Sequence, residues 1–455
     1  MNNLSLSPLS ATQTLAHFAA TLKFENIPTP VVERAKDCMI DTIAAATFGS
    51  RFPWSKMAAD YARRYGSGGP CTVIGNPGLK VHAPYAALAN GLFSHAFEQD
   101  SVRDPGMGAH PGATLLPPLL AACEESSNAD GKRAIVAFVA ATEIMLRIAC
   151  ATHHSPEKIG FHAPGLTGAY GATVAAGLVM GLNEAQLTHA LGIAGSLSSG
   201  LLAFSKSKEG AMVKRLHLGR ASESGILAAR LASEGYEGPE TILEGKFGFL
   251  DAYCNKEDIE PALLTAGLGE QWEVMRICMK RYACHINAHT PVQAMRDLMA
   301  GHGFTAADVA KVHITGSERL ATHHNIREPG DVMQAQYSVP FCVAVALHRD
   351  PENPKSFADD ALEDLAIRAT CRAIESSTWA EQGKGVRASR ITVTLKNGRV
   401  VQRDGNTYKG MPADPLTRED LRRKFMLLCA DMDAASAKDV FERWVKLETQ
   451  AQVRV

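Results

Sequence analysis

Polar and titratable residues are concentrated in one stretch of this sequence, HAFEQDSVRDPGMGAHPGAT, residues 95–114. A smooth apolar helical pattern follows it. Burying so many polar groups costs free energy unless they bind one another or a ligand, which indicates a functional pocket. The alternative is a solvated loop whose His-Pro-Gly turn caps the next helix. The titratable members of the stretch are His95, Glu98, Asp100, Arg103, Asp104 and His110.

A second histidine site lies in GFHAPG, residues 160–165, where His162 precedes a helix rich in alanine and glycine. Backbone N–H groups at a helix N-terminus bind anions, so a histidine there is suited to holding a carboxylate. A capping or core histidine is the alternative.

Two cations and a histidine open another small-residue helix, in VKRLHLGRASESG. Lys214 and Arg215 come first and His217 follows. Cations at this position suit the binding of a carboxylate or an oxyanion. The alternative is a solvated basic start of a helix.

The segment MKRYACHINAHTP contains Lys280, Arg281, His285 and His289. The two histidines are four residues apart, a spacing that could place both on one helical face and bind a metal. We predict no metal here, because HExxH is absent and the adjacent Lys-Arg pair would oppose a cation.

Tyr337, in QAQYSVP, precedes an apolar helix and is either a catalytic acid or an amphipathic core residue. No GxGxxG, P-loop or GxSxG motif is present to support nucleotide redox chemistry, phosphoryl transfer or serine hydrolysis. The remaining histidines, lysines, acids and tyrosine suit proton transfer on a polyanionic small molecule, with no cofactor and no metal.

The bulk composition indicates a globular protein of the cytoplasm. Hydrophobic residues make up 46% of the 455 residues, and the net charge of −1 offers no field to recruit nucleic acid or an anionic membrane. The ten cysteines show no CxxC spacing, so we expect reduced core thiols. No run of eighteen apolar residues predicts a membrane span, and the N-terminus lacks the pattern of a signal peptide.

Helical periodicity dominates residues 1–267, with small residues at positions that face other helices. We therefore predict a mainly α protein with a large all-helical domain, residues 1–267 and 408–455. A smaller α+β domain, residues 268–407, is inserted before the C-terminal helices. Its clearest strand signal is SRITVTLKNGRVVQRD, in which Asn397-Gly398 favours a two-residue type I′ turn.

Taken together and in this order, these clusters resemble the MmgE/PrpD family. That family includes 2-methylcitrate dehydratases, cis-aconitate decarboxylase and iminodisuccinate epimerase. The resemblance spans essentially the whole chain, including the closing segment KGMPADPLTREDLRRKF. It implies a homodimer with a helical domain, an α+β lid and an active site in the cleft. The catalytic residues it implies are Glu98, Asp100, His110, His162, Lys214, Lys280 and Tyr337, with His285 and the two lysines binding substrate. We also predict that Arg103 binds substrate, although it lies in a segment that differs from the family.

The sequence departs from the family at its acidic run. Many relatives carry Asp-x-Asp-Asp-Thr/Ser, whereas this chain has Glu98-Gln99-Asp100-Ser101-Val102. A carboxylate moved by about one methylene changes the geometry of proton transfer. The first expectation is a 2-methylcitrate dehydratase-like hydro-lyase acting on a di- or tricarboxylate. A decarboxylase, an epimerase and a non-catalytic carboxylate-binding protein are the alternatives.

Overall fold

A computed structural model describes residues 9–106, 108–126, 129–206, 211–379 and 387–455. Met107 of the acidic stretch and residues 1–8 therefore lie outside the described part. The chain divides into two compact units. Unit 1 comprises Met1–Ala96, Asp100–Ile277 and Cys429–Val455, and unit 2 comprises Phe97–Gln99 and Cys278–Leu428. The sequence predicts domain boundaries at residues 267/268 and 407/408. These boundaries stay a prediction.

The predicted mainly α fold is confirmed, with about 60% helix and 9% strand. Helices build most of unit 1. They are α1 (Ala11–Thr21), α2 (Thr29–Gly49), α3 (Pro53–Gly66), α4 (Ala83–Ser94), α5 (Pro111–Glu125), α6 (Gly131–Thr152), α7 (Ser155–Lys158), α8 (Ala163–Met180), α9 (Glu184–Leu197), α10 (Val213–Ser233) and α11 (Phe249–Tyr253), with α19 (Ala434–Val445) near the C-terminus.

Small residues hold α4, α8 and α10 at close range, as the sequence predicts. A Cβ added at Gly225 of α10 would lie 2.5 Å from the Cβ of Ala172 on α8. A Cβ added at Gly219 would lie 2.3 Å from the carbonyl oxygen of Leu88 on α4. Because packed interiors resist displacement, helices whose backbones are this close have ends that move little.

Unit 1 is not entirely helical, so that part of the prediction needs correction. Strands β1 (Ser67–Thr72) and β2 (Lys80–Val81) form an antiparallel pair, and β3 (Val102–Arg103) follows α4. These strands span six residues or fewer, too short to give the alternating pattern by which strands are recognised.

One helix of the described residues is long and apolar enough to cross a membrane. It is α6, with a mean hydropathy of 1.9 in its most apolar stretch, of which 94% is buried inside the protein. Core helices that are covered on all sides have the same composition.

Unit 2 combines helices with a four-stranded sheet. The sheet has the order β6-β5-β7-β8, in which β5 pairs parallel with β6 and antiparallel with β7. Strand β4 (Ile277–Cys278) lies where the chain passes from unit 1 to unit 2. The other strands are β5 (Val309–Gly316), β6 (Glu375–Thr378), β7 (Ser389–Leu395) and β8 (Val400–Gly405); the helices are α12 (His289–His302), α13 (Glu318–Thr322), α14 (Val332–Tyr337), α15 (Val339–His348), α16 (Asp359–Glu363), α17 (Leu365–Ala373) and α18 (Arg418–Leu428).

The predicted hairpin of β7 and β8 is confirmed, but the prediction of a type I′ turn is wrong. Gly398 has a positive φ of 83° whereas Asn397 does not, and a type I′ turn needs both. Gly398 donates its N–H to the Leu395 carbonyl, and Leu395 donates to the Arg399 carbonyl. The loop therefore has three residues, 396–398, with glycine alone in the left-handed position.

The close contact between α8 and α10 predicts the effect of one added methyl group. Gly225→Ala should lower the free energy of unfolding by about 1–3 kcal/mol through overpacking. Thermal or urea denaturation measures it. Gly301→Ala in α12 is the control, since a Cβ there meets nothing within 4 Å. An exposed helical Gly→Ala change should stabilise by about 0.4–1 kcal/mol. Equal stability of the two variants would contradict the packing described here.

Candidate active site

Asp100 is the centre of a buried cluster in unit 1. Its Oδ2 accepts a hydrogen bond from His110 Nδ1 at 2.7 Å and another from His95 Nδ1 at 2.8 Å. The carboxylate side chain is fully buried, and the two imidazole rings meet edge to face with centroids 4.5 Å apart. Asp100 and His110 are both predicted catalytic residues, and the structure brings them together.

Two helix ends position these three side chains. His95 directly follows α4, and His110 directly precedes α5, whose first residue is Pro111. Ser101 Oγ accepts a hydrogen bond from the Gly112 N–H, which ties the segment that carries Asp100 to the start of α5. The two helix ends and this hydrogen bond thereby set the distances within the cluster.

Both imidazoles must present an Nδ1–H to Asp100, because an ionised carboxylate only accepts hydrogen bonds. In a neutral ring bound in this way, Nε2 has no proton and can accept one. Burial lowers the pKa of His95 to about 3, despite the opposing effect of Asp100, so His95 is neutral at neutral pH. The His95–Asp100 contact is therefore a hydrogen bond rather than an ion pair.

The same three residues are close enough to be considered as metal ligands. One potential ligand atom from each of His95, Asp100 and His110 lies within 4.8 Å of the others. The two Nδ1 atoms nevertheless point at one carboxylate oxygen at hydrogen-bond distance. A metal bound through those nitrogens would have to displace both protons, so the donor set fits a hydrogen-bonded cluster.

A second histidine pair lies at the start of α8 and α10. His162 Nδ1 and His217 Nδ1 are 2.9 Å apart, and the ring of Phe204 meets His162 edge to face at 5.2 Å. His162 is 7% exposed, and Lys214 is 5% exposed in the first turn of α10. Burial and then the charge of Lys214 lower the pKa of both histidines, so both are neutral at neutral pH.

Arg103, predicted to bind substrate, has a different partner in the structure. Its Nε and Nη2 donate to the two carboxylate oxygens of Glu273 at 2.6 and 3.1 Å. Its Nη1 donates to the Pro105 carbonyl at 2.9 Å. A bidentate pair of this kind fixes the guanidinium group, and the structure does not place it with the histidines.

Glu98 and Lys280 form a buried ion pair in unit 2. The Lys280 Nζ is 2.6 Å from Glu98 Oε2, and the two side chains are 2% and 6% exposed. Glu98 has a φ of 55°, a left-handed conformation that residues other than glycine rarely adopt. The structure thus pairs these two predicted site residues and holds the acid in a strained backbone conformation.

Two residues that the sequence analysis did not select hold the segment Phe97–Gln99 in unit 2. Gln336 is fully buried, and its Nε2 donates to the carbonyls of Phe97 and Ala283 at 3.1 and 2.9 Å. Lys424 Nζ donates to the Gln99 carbonyl at 3.0 Å. Both act on backbone atoms far away in sequence, so no local motif marks them.

His285 and Tyr337 also come together in unit 2, and the missed residue His324 lies with them. The ring of His285 stacks on that of His324 with centroids 4.3 Å apart, and the Tyr337 ring lies 4.7 Å from His285. The Asn287 N–H donates to His285 Nδ1 at 3.3 Å, so neutral His285 presents its Nε2–H as a donor. Burial lowers the pKa of His324 to about 4.

His285 and His289 do not share a helical face. His285 precedes a short 3-10 turn, whereas His289 begins α12 and packs against Tyr282 and Tyr408 with centroids 5.3 and 5.1 Å away. The four-residue spacing therefore misleads, because the helix begins only at the second histidine.

Known proteins resemble this chain over most of its length. Residues 13–262 match the model of the MmgE/PrpD N-terminal domain, and residues 282–447 match that of the C-terminal domain. A cis-aconitate decarboxylase of Aspergillus terreus is 29% identical over 94% of this chain and 91% of its own length. The human cis-aconitate decarboxylase is 26% identical over 91% of this chain and 87% of its own length.

The two family models together span most of the sequence, and the similarity to the curated enzymes runs over nearly the full length of both partners. These matches and the predicted resemblance agree. The chain belongs to the MmgE/PrpD family and is a lyase.

Proposed function

We propose that this enzyme decarboxylates an unsaturated tricarboxylate of the cis-aconitate type. The arrangement of Asp100, His95 and His110 carries the proposal, because it provides an oriented imidazole for moving a proton. The similarity to cis-aconitate decarboxylases supports decarboxylation over the dehydration of 2-methylcitrate that the sequence motifs first suggest. The chemistry remains proton transfer next to a carboxylate.

His110 is the group best placed to exchange a proton with substrate. Its Nδ1–H is committed to Asp100, which leaves Nε2 to accept and release the proton. Its side chain is 13% exposed, whereas that of His95 is fully buried. His95 therefore serves to position Asp100, and His110 is the one of the two that a small molecule can reach.

Lys214 provides the positive charge that an anionic substrate requires in unit 1. Its side chain is buried at the N-terminus of a 21-residue helix, where the helix dipole also favours an anion. Lys214 is also among the charges that lower the pKa of His95 and His162, so its field acts on both histidines. A carboxylate bound here would be strongly held, because few water molecules screen buried charges.

Unit 2 carries a second set of groups suited to a carboxylate. The Nε2–H of His285 is a donor, and the Tyr337 hydroxyl and Lys280 are the other predicted members of the set. Arg103 is left out of the proposal, since Glu273 and a backbone carbonyl already bind its guanidinium group.

The reaction consumes one proton, which water supplies, and needs no other reactant. The bond from an allylic carbon to one carboxylate breaks, CO₂ leaves, and the bonding electrons shift through the adjacent double bond. The carbon at the far end then takes up one proton from His110 Nε2, which in this proposal has first accepted that proton from water. The remaining carboxylates carry the developing negative charge, which Lys214 stabilises in this proposal.

A panel of substrates tests the reaction class. The purified enzyme should release CO₂ from cis-aconitate and give an unsaturated dicarboxylate, detected by proton NMR. Citrate, 2-methylcitrate and iminodisuccinate should be left unchanged. His110→Gln, prepared in the same way, is the control for contaminating activity. Loss of water from 2-methylcitrate with no CO₂ from cis-aconitate would contradict the proposal.

The buried pair of Glu98 and Lys280 makes a separate prediction. Glu98→Gln removes the carboxylate of a buried ion pair, which should cost about 3–5 kcal/mol of stability. Glu375→Gln breaks the exposed pair with Lys311, whose side chains are 52% and 54% exposed. That control should cost about 1 kcal/mol or less.

Thermal unfolding compares the two variants. The double variant Glu98→Gln/Lys280→Met removes both charges and should recover part of the loss in stability while remaining inactive. Similar stability of Glu98→Gln and Glu375→Gln would show that the ion pair is not the buried interaction described here.

A further inference from the structure

We propose that His217 is a positioning residue that sets the protonation state of His162 and exchanges a proton with it. The inference goes beyond the proposed function, which assigns proton exchange to His110, and it rests on the prediction from the sequence that His162 is also a catalytic residue. It starts from the contact between the two Nδ1 atoms, 2.9 Å apart.

A hydrogen bond between two neutral imidazoles needs one Nδ1 that carries a proton and one that does not. If His217 donates, His162 has its proton on Nε2 and is an acid there. If His162 donates, its Nε2 is free of a proton and is a base. The state of His217 thus determines which role His162 has, just as Asp100 determines the tautomer of His110.

The fold is built to accept both rings. A Cβ added at Gly200 would lie 3.3 Å from His217 Nδ1, and one added at Gly165 would lie 3.3 Å from His217 Cβ. The Gly200 carbonyl accepts the N–H of His162 at 3.0 Å, which fixes the backbone beside the pair. The ring of Phe204 contacts both histidines, with centroids 5.2 and 5.9 Å away.

The charged and titratable groups that act on the pair keep it neutral. Lys214 disfavours the protonated form of both rings, and His95 and His110 act on His162 in the same direction. Burial has the largest effect on both pKa values. A second proton on the pair is therefore unfavourable, whereas both rings stay neutral when one proton arrives at His162 Nε2 as another leaves His217 Nε2.

The relay step is balanced. A proton that arrives at His162 Nε2 is matched by transfer of the Nδ1 proton to His217 Nδ1, and His217 then releases its Nε2 proton to water. The reverse sequence delivers a proton from water to the substrate side. His217 is half-buried and His162 is 7% exposed, so His217 is the more accessible ring of the two.

The variant His217→Asn tests this role, because asparagine can offer a hydrogen-bonding group near the position of Nδ1 but cannot pass a proton through a ring. We expect kcat to fall by about 100-fold with KM changed less than threefold. In the pH profile of kcat, the apparent pKa that reports His162 should shift as well. His217→Leu should lose as much kcat, and added imidazole should restore part of it.

His189→Asn is the matched control. His189 is also half-buried in unit 1, and its Nδ1 bonds the Gly238 carbonyl at 3.1 Å rather than another imidazole. It should keep the kcat and pH profile of the unmodified enzyme. An unchanged kcat and pH profile in His217→Asn would overturn the proposal, as would a loss confined to KM.

Nitrogen-15 NMR of histidine-labelled enzyme tests the pair without any substrate. The shifts of His162 should show a neutral ring at neutral pH and should change tautomer in His217→Asn. Identical His162 shifts in both proteins would overturn the inference. If the enzyme acts on none of the panel compounds, the proposed function fails, while this spectrum still decides whether the two rings are coupled.

Discussion

The candidate site of unit 1 depends on one carboxylate oxygen that accepts two hydrogen bonds. Asp100 Oδ2 binds the Nδ1–H groups of His95 and His110, and the whole acid is shielded from water. Buried charges of this kind persist only when their hydrogen bonds are satisfied. That requirement fixes both rings, and a ring fixed in one tautomer has a defined place to accept or release a proton.

The helical packing of unit 1 provides the fixed geometry that these rings require. His95, His110, His162 and Lys214 all lie at helix ends or in a first turn. Glycines at the contacts of α4, α8 and α10 allow the helices to approach until backbone atoms touch. Helix ends held in this way give the precision that proton transfer requires, since small displacements of a catalytic group cost much of the rate.

The helices and the polar stretch can be predicted from the sequence, because each depends on residues that are close together in the chain. Apolar periodicity marks the helices, and the dense polar stretch marks Asp100 and His110. Partners far apart in sequence carry no such signal. Arg103 binds Glu273, 170 residues away, and Gln336 holds the Phe97 carbonyl from 239 residues away. His324 and His217 contribute through ring contacts that only the folded chain creates.

The direct test of the central claim is whether Asp100 controls proton delivery to the product. In D₂O, the unmodified enzyme should place one deuterium on the product of cis-aconitate decarboxylation. Asp100→Asn should slow that incorporation by about four orders of magnitude, as loss of the correct histidine tautomer does in other enzymes. Asp104→Asn should retain the rate. Deuterium incorporation at the unmodified rate in Asp100→Asn would contradict this account.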